Sequence, residues 1–118
     1  MNQFDPAVLA QFTGTEHYYR LNCKCVVTDG VKYLAETAGA YWLLDSAVSY
    51  LLELDMVDWF VLLRLVVQNG TALLTLEDGN GGELARQKIP YTEFPAPEQV
   101  LYACWDGTHW VLMLPGEY

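Results

Sequence analysis

The stretch AYWLLDSAVSYLLEL, residues 40–54, carries the pattern on which the predicted fold depends. Its leucine, valine and alanine residues recur at helical spacing and form one broad apolar stripe, whereas Ser46, Ser49 and Glu53 fall on the opposite face. A helix with a single apolar face needs an apolar surface to pack against. The second half of the chain supplies that surface, because its hydrophobic residues follow the pattern of β-strands.

Shorter helical segments are predicted before this helix. Asp5-Pro6 is typical of a helix start and predicts a short helix to about Phe12. Asp29 is the predicted N-cap of a second helix, VKYLAETAG, in which Gly39 fits a C-cap. Between these helices, the sequence EHYYRLNCKCVV has the aromatic and β-branched residues of an extended segment.

After residue 58 the hydrophobic pattern becomes that of strands joined by tight turns. Residues 58–68 are apolar on both faces, and Asn69-Gly70 is a strong signal for a hairpin to the strand TALLTLED. A glycine-rich turn, the strand ELARQKI, a proline-rich connection and a hairpin about Asp106-Gly107 follow. The sequence therefore predicts one α+β domain over residues 1–118, with N-terminal helices packed on an antiparallel meander sheet of about five strands.

The charge of the chain limits its partners. Among the 118 residues, 15 acidic side chains outnumber 6 basic ones, which gives a formal net charge of −9. Phosphate backbones and anionic lipid surfaces repel such a chain, so we expect no direct binding to nucleic acid or membrane. The longest nearly apolar run, residues 59–67, is also too short to span a bilayer as a helix. A basic protein surface is the partner that the charge favours.

The amino terminus and the cysteines indicate the compartment. MNQFDPAVLAQF lacks the basic and apolar regions of a secretory signal. The chain has three cysteines, and an odd number without a signal is typical of reduced thiols. We therefore predict a cytoplasmic protein.

Several stretches resemble one family of small uncharacterised proteins found in bacteria, phages and plasmids. They are QFTGTEHYYR (residues 11–20), TDGVKYLAETAGAYWLLD (28–45), EDGNGGELARQKIPYTEFPAP (77–97) and the ending LPGEY (114–118). The resemblance implies a domain of unknown function and a bacterial or mobile-element source. It implies no catalytic residues.

Cys104 and His109 form a candidate catalytic pair. If Asp106-Gly107 is a two-residue turn, Cys104 lies directly opposite His109, with Cβ atoms ~5 Å apart. An imidazole at that distance activates a thiol. The alternative is that two aromatic-rich strands place a cysteine beside a histidine without chemical consequence, since the sequence shows no third group to orient the imidazole.

The other cysteines do not have the pattern of a metal site. Cys23 and Cys25 are separated by one residue, with His17 upstream, whereas a zinc site normally has four ligands and wider cysteine spacing. Two free cysteines in the core explain the pair better. We therefore predict no metal and no cofactor.

Two groups of residues are candidates for binding a protein partner. His17, Tyr18 and Tyr19 have the polar-edged aromatic rings of contact anchors, although they are equally suited to packing at a sheet edge. If the strands on either side of Asn69-Gly70 pair, their far ends gather carboxylates into an acidic pole. Its members are Glu53, Asp55, Asp58, Glu77, Asp78 and Glu83. Such a pole is either a solvated end or a docking face that imitates nucleic-acid phosphates.

The sequence thus favours a non-enzymatic acidic module that binds a basic protein surface. With the mobile-element resemblance, its concrete form is a modulator or inhibitor of a nucleic-acid-handling host complex. The alternatives are a small thiol or hydrolase enzyme that uses Cys104 and His109, and a structural protein that associates with itself as a homodimer through the doubly apolar strand 59–67.

Overall fold

The computed structural model describes residues 4–22, 24–54 and 59–118. The helices are α1 (Pro6–Leu9), α2 (Asp29–Thr37) and α3 (Tyr41–Leu51). The strands are β1 (Tyr18–Asn22), β2 (Cys25–Thr28), β3 (Phe60–Gln68), β4 (Thr71–Glu77), β5 (Glu83–Ile89), β6 (Glu98–Trp105) and β7 (Trp110–Met113), and a 3₁₀ turn spans Pro115–Glu117. None of the described helices is long and apolar enough to cross a bilayer.

One seven-stranded sheet has the strand order β1-β2-β7-β6-β3-β4-β5. The α+β class is confirmed, but the sheet has seven strands rather than about five, and one of its pairings is parallel. The extended N-terminal segment forms the hairpin β1–β2, and β2 pairs with β7 in parallel. This pairing satisfies the outer backbone groups of β7, which would otherwise be a sheet edge. The helices α2 and α3 then connect β2 to β3.

Helix α3 packs as its apolar stripe predicts, except that Leu52, the last leucine of that stripe, is 51% exposed. Its buried residues are Leu43, Leu44, Ala47, Val48 and Leu51. They belong to one core with the inward side chains of β2, β3, β4, β6 and β7. On β3 these inward residues are Val61, Leu63 and Leu65, whereas Leu62 and Arg64 between them are only half-buried. The helices therefore cover one face of the sheet, and the opposite face, here called the open face, carries the alternate side chains.

The hairpin predicted at Asn69-Gly70 is confirmed. Gln68 pairs with Thr71, and both turn residues have positive φ, 55° and 77°. This is the geometry of the two-residue turn that suits the twist of antiparallel strands.

The N-terminus of α2 is fixed by the end of the chain. Thr28, rather than the predicted Asp29, is the N-cap, and its Oγ1 accepts the N–H of Val31 at 3.4 Å. The Glu117 carboxylate accepts the Thr28 hydroxyl at 2.6 Å, the Gly30 N–H at 3.1 Å and the Leu114 N–H at 3.0 Å. Negative charge is favourable at a helix N-terminus, so Glu117 joins α2 to the segment after β7.

We predict that Glu117→Ala destabilises the fold by about 1–3 kcal/mol, because it leaves the Thr28 hydroxyl and two N–H groups without their acceptor. Urea denaturation followed by circular dichroism measures the change. Glu16→Ala, which removes an exposed carboxylate, is the control and should change the free energy of unfolding by less than about 0.5 kcal/mol. Equal stability of the two variants would contradict the role given to Glu117.

Candidate functional site

A cleft of about 680 Å³ opens between the corner that joins α2 to α3 and the connection that follows β5. We call it the corner cleft. Its described lining residues are Phe4, Thr37, Ala38, Gly39, Trp42, Tyr91, Thr92, Glu93, Phe94 and Pro95. Four of these are aromatic and one is a carboxylate, and none is basic.

The helix corner forms one wall of the corner cleft. Gly39 has φ 63°, and the N–H of Ala40 donates to the carbonyl of Ala35 at 2.9 Å. These are features of a Schellman ending, in which the left-handed conformation falls to glycine. The chain therefore turns sharply between α2 and α3, and Trp42 in the first turn of α3 lines the cleft.

The connection after β5 forms the other wall and is anchored by Thr92. The N–H of this buried residue donates to the Gly70 carbonyl at 2.8 Å, and its Oγ1 accepts the N–H of Phe94 at 3.1 Å. Phe94 is buried, and its ring centroid lies 6.4 Å from that of Phe4. This wall is thus held by the β3–β4 hairpin and by the core.

A polar pair lies on this second wall. The Tyr91 hydroxyl donates to Glu93 Oε1 at 2.7 Å, and this hydrogen bond to the carboxylate raises the pKa of Tyr91. The Tyr91 side chain is 69% exposed. The same cleft is lined by Trp42, so aromatic rings and a carboxylate, the groups that contact cationic side chains in proteins, lie together here.

Of the three residues in the predicted aromatic cluster, Tyr19 has mainly a structural role. The Tyr19 hydroxyl donates to Asp29 Oδ1 at 2.9 Å, and the Lys32 ammonium lies 4.0 Å from the centre of the Tyr19 ring. His17 stacks on Tyr19 with centroids 6.4 Å apart. Tyr18 is 61% exposed, because neighbouring side chains of a strand point to opposite faces. His17 and Tyr19 therefore lie together, and Tyr18 faces solvent.

The predicted acidic pole is partly neutralised. Leu62 pairs with Glu77, so the strand ends meet as expected. The Glu77 carboxylate, however, forms an ion pair with Arg64 at 3.3 Å, and Asp78 Oδ1 accepts the N–H groups of Asn80 and Gly82. Thus Glu77 neutralises the charge of Arg64, and Asp78 stabilises the turn between β4 and β5.

Two further members of the acidic pole, Asp55 and Asp58, lie outside the described residues. Their assignment to a docking face stays a prediction.

The predicted register of Cys104 and His109 was wrong. Trp105 pairs with Trp110, so the loop has four residues and Cys104 lies opposite Val111. Asp106 causes the difference, because its Oδ1 accepts the N–H groups of both Thr108 and His109, at 2.8 and 2.6 Å. Burial also raises the pKa of Cys104, which is the opposite of thiol activation.

The other residues considered for a metal give no site in the described part of the chain. Cys25 is buried, and Cys23 lies outside the described residues. Among the described residues, no three histidine, cysteine or acidic side chains lie close enough together to hold a metal ion.

A family-level sequence comparison matches residues 6–118 to DUF6876, a family of unknown function. The chain belongs to the DUF6876 family. No curated protein matches the sequence. A crystal structure of a protein of unknown function from Enterococcus faecalis is similar to the DUF6876 chain with a TM-score of 0.55 and 17% identity, covering 84% of this chain and 93% of that one. At this identity the likeness concerns the fold alone.

The corner cleft of this DUF6876 chain was not predicted from its sequence. Its two walls come from residues 37–42 and 91–95, which are distant in sequence and meet only in the fold. Both walls lie within stretches that carry the family resemblance, residues 28–45 and 77–97. The alternation of tyrosine, glutamate and proline in YTEFP was the signal that could have indicated a surface loop with a binding role.

Asp29 gives a pH-dependent prediction. Its Oδ2 accepts the Glu16 N–H at 2.9 Å, and this bond, with that from Tyr19, holds the pKa of Asp29 below its usual range. A lowered folded pKa gives stability that is present above the unfolded pKa, about 3.9, and is lost as the pH falls through the folded value. Asp29→Asn should therefore be less stable than wild type at pH 7, and the difference should shrink below about pH 3.

Urea denaturation of both proteins across this pH range measures the effect. Asp45→Asn, which changes an exposed carboxylate on α3, is the matched control and should differ little from wild type at any pH. A stability difference for Asp29→Asn that does not vary with pH would contradict the stabilising role given to the ionised Asp29 carboxylate.

Proposed function

We propose that this DUF6876 chain is a non-enzymatic binding module whose corner cleft takes an arginine side chain from a basic segment of another protein. The observation that carries the proposal is that the hydrogen-bonded Tyr91–Glu93 pair and Trp42 line one cleft whose described lining contains no basic residue. The net charge of −9 attracts a basic segment from a distance.

Arginine suits the corner cleft better than lysine does. A guanidinium group is planar, stacks on aromatic faces and donates several N–H groups in a fixed fork. A carboxylate has about four acceptor positions, and the Tyr91 hydroxyl uses one of those on Glu93, so the remaining positions can accept from the guanidinium. Trp42 and Tyr91 supply the rings on which it stacks.

The chemistry also suggests the kind of partner. Proteins that bind phosphate backbones carry arginine and lysine on exposed segments. The proposal therefore extends to a cytoplasmic partner in a nucleic-acid-handling host complex, which this chain modulates or inhibits. The sign of the net charge and the resemblance to phage and plasmid proteins support this extension.

A labelled tetra-arginine peptide tests the proposal by fluorescence anisotropy at about 0.15 M ionic strength. Tyr91→Ala and Glu93→Gln should each weaken binding by about 3- to 10-fold, because each removes one attraction to the guanidinium. Both changes are at exposed positions, so the fold should be retained.

Two controls make the test specific. Glu16→Gln changes the net charge by the same amount as Glu93→Gln but lies near the start of α2, so binding should fall by less than about 2-fold. A peptide with citrulline in place of arginine should bind weakly to all variants. Equal losses for Glu16→Gln and Glu93→Gln, or equal binding of the citrulline peptide, would contradict a site in the corner cleft.

A further inference from the structure

The described helices leave the open face of the sheet uncovered. On its central strands β3, β4, β6 and β7, most of the outward apolar side chains are half-buried or exposed, whereas Val111 is buried. The half-buried and exposed ones include Leu62, Val66, Leu73, Val100 and Met113. The strand pairings place them side by side, since Leu62 lies opposite Tyr102, which lies opposite Met113, and Val66 lies opposite Leu73. Tyr118 covers one part of this surface, since its ring centroid lies 5.6 Å from that of Phe60 and 5.5 Å from that of Tyr102. In a monomer the remainder would face water.

The charges of the open face differ from those of the rest of the chain. Four of the six basic residues point to this face, Arg20, Arg64, Arg86 and Lys88, together with three acidic ones, Glu77, Glu83 and Glu98. The open face is therefore nearly neutral, whereas most of the acidic residues that the structure describes lie elsewhere. Two copies that each carry −9 repel one another, and the repulsion is weakest when their open faces approach.

The central charges of the open face are already paired within one chain. Arg64 contacts Glu77 at 3.3 Å and Glu98 at 2.8 Å, and Arg86 contacts Glu83 at 2.8 Å. An apolar surface can cover these pairs without leaving an unpartnered charge, which is the main cost of burying an ion. A strongly basic or acidic partner would gain little here. The open face of a second copy is also apolar with balanced charges, so it matches this surface in both respects.

The area is close to that of a stable interface. Five adjacent strands at ~4.8 Å spacing, each with about seven residues, give a flat area of about 550 Å². Side-chain relief raises the accessible area towards the ~800 Å² that each partner buries in an interface of standard size. Sheets that pack face to face form such a layer about 10 Å thick.

We infer that the chain forms a homodimer in which the open faces of two copies pack against each other. The inference is independent of the corner cleft. The charges of the open face are nearly balanced, and none of its side chains lines that cleft.

Sedimentation equilibrium of the wild-type chain at about 10–100 μM tests the inference. The expected mass is twice the 13.4 kDa of one chain. Val66→Glu places a charge at an open-face residue that is 41% exposed in the single chain, and it should raise the dimer dissociation constant by about 100-fold or more. Leu73→Gln, a milder change beside it, should also weaken the dimer.

Leu52→Glu is the matched control, because Leu52 is similarly exposed, at 51%, but lies at the end of α3. This variant should remain dimeric. Circular dichroism verifies that each variant is folded, and the wild-type mass alone decides the case if the open-face variants fail to fold. A wild-type mass of one chain at 100 μM, or dissociation by Leu52→Glu with no effect of Val66→Glu and Leu73→Gln, would overturn the inference.

Discussion

Burial of the α3 stripe against a single face of the sheet is the constraint on which the other features depend. Leu44, Ala47 and Leu51 are fully buried against strands whose inward residues are also fully buried. Both α2 and α3 pack on the same side of the sheet, so the chain must turn sharply between them. Gly39 makes that corner, and the corner forms one wall of the cleft. The same constraint leaves the open face uncovered.

The hydrogen bonds around the start of α2 hold this layer in place. Asp29 joins α2 to Thr15 and Glu16 before β1 and to Tyr19 within β1, and Glu117 joins α2 to the segment after β7. These contacts connect three of the four stretches that carry the family resemblance. These contacts give structural roles to Thr15, Tyr19, Asp29 and Glu117, whereas Tyr91 and Glu93, in the fourth stretch, are exposed beside the corner cleft.

Local signals in the sequence predicted local structure well. The stripe over residues 40–54 predicted α3, and Asn69-Gly70 predicted its hairpin, because helical period and positive φ are properties of neighbouring residues. The Asp106-Gly107 register was wrong because one carboxylate oxygen accepts two N–H groups and lengthens the loop. The parallel pairing of β2 with β7 joins residues 85 positions apart, at Cys25 and Trp110, and no local pattern encodes such a partner. The corner cleft depends on the same kind of long-range contact.

Titration of the ¹⁵N-labelled protein with N-acetyl-arginine amide, followed by NMR, tests the central claim that the corner cleft holds a guanidinium group. We expect shift changes confined to the Trp42 indole N–H and the amides of residues 91–94, with none for the citrulline analogue. Changes centred on the open-face strands, or equal changes with both compounds, would contradict it.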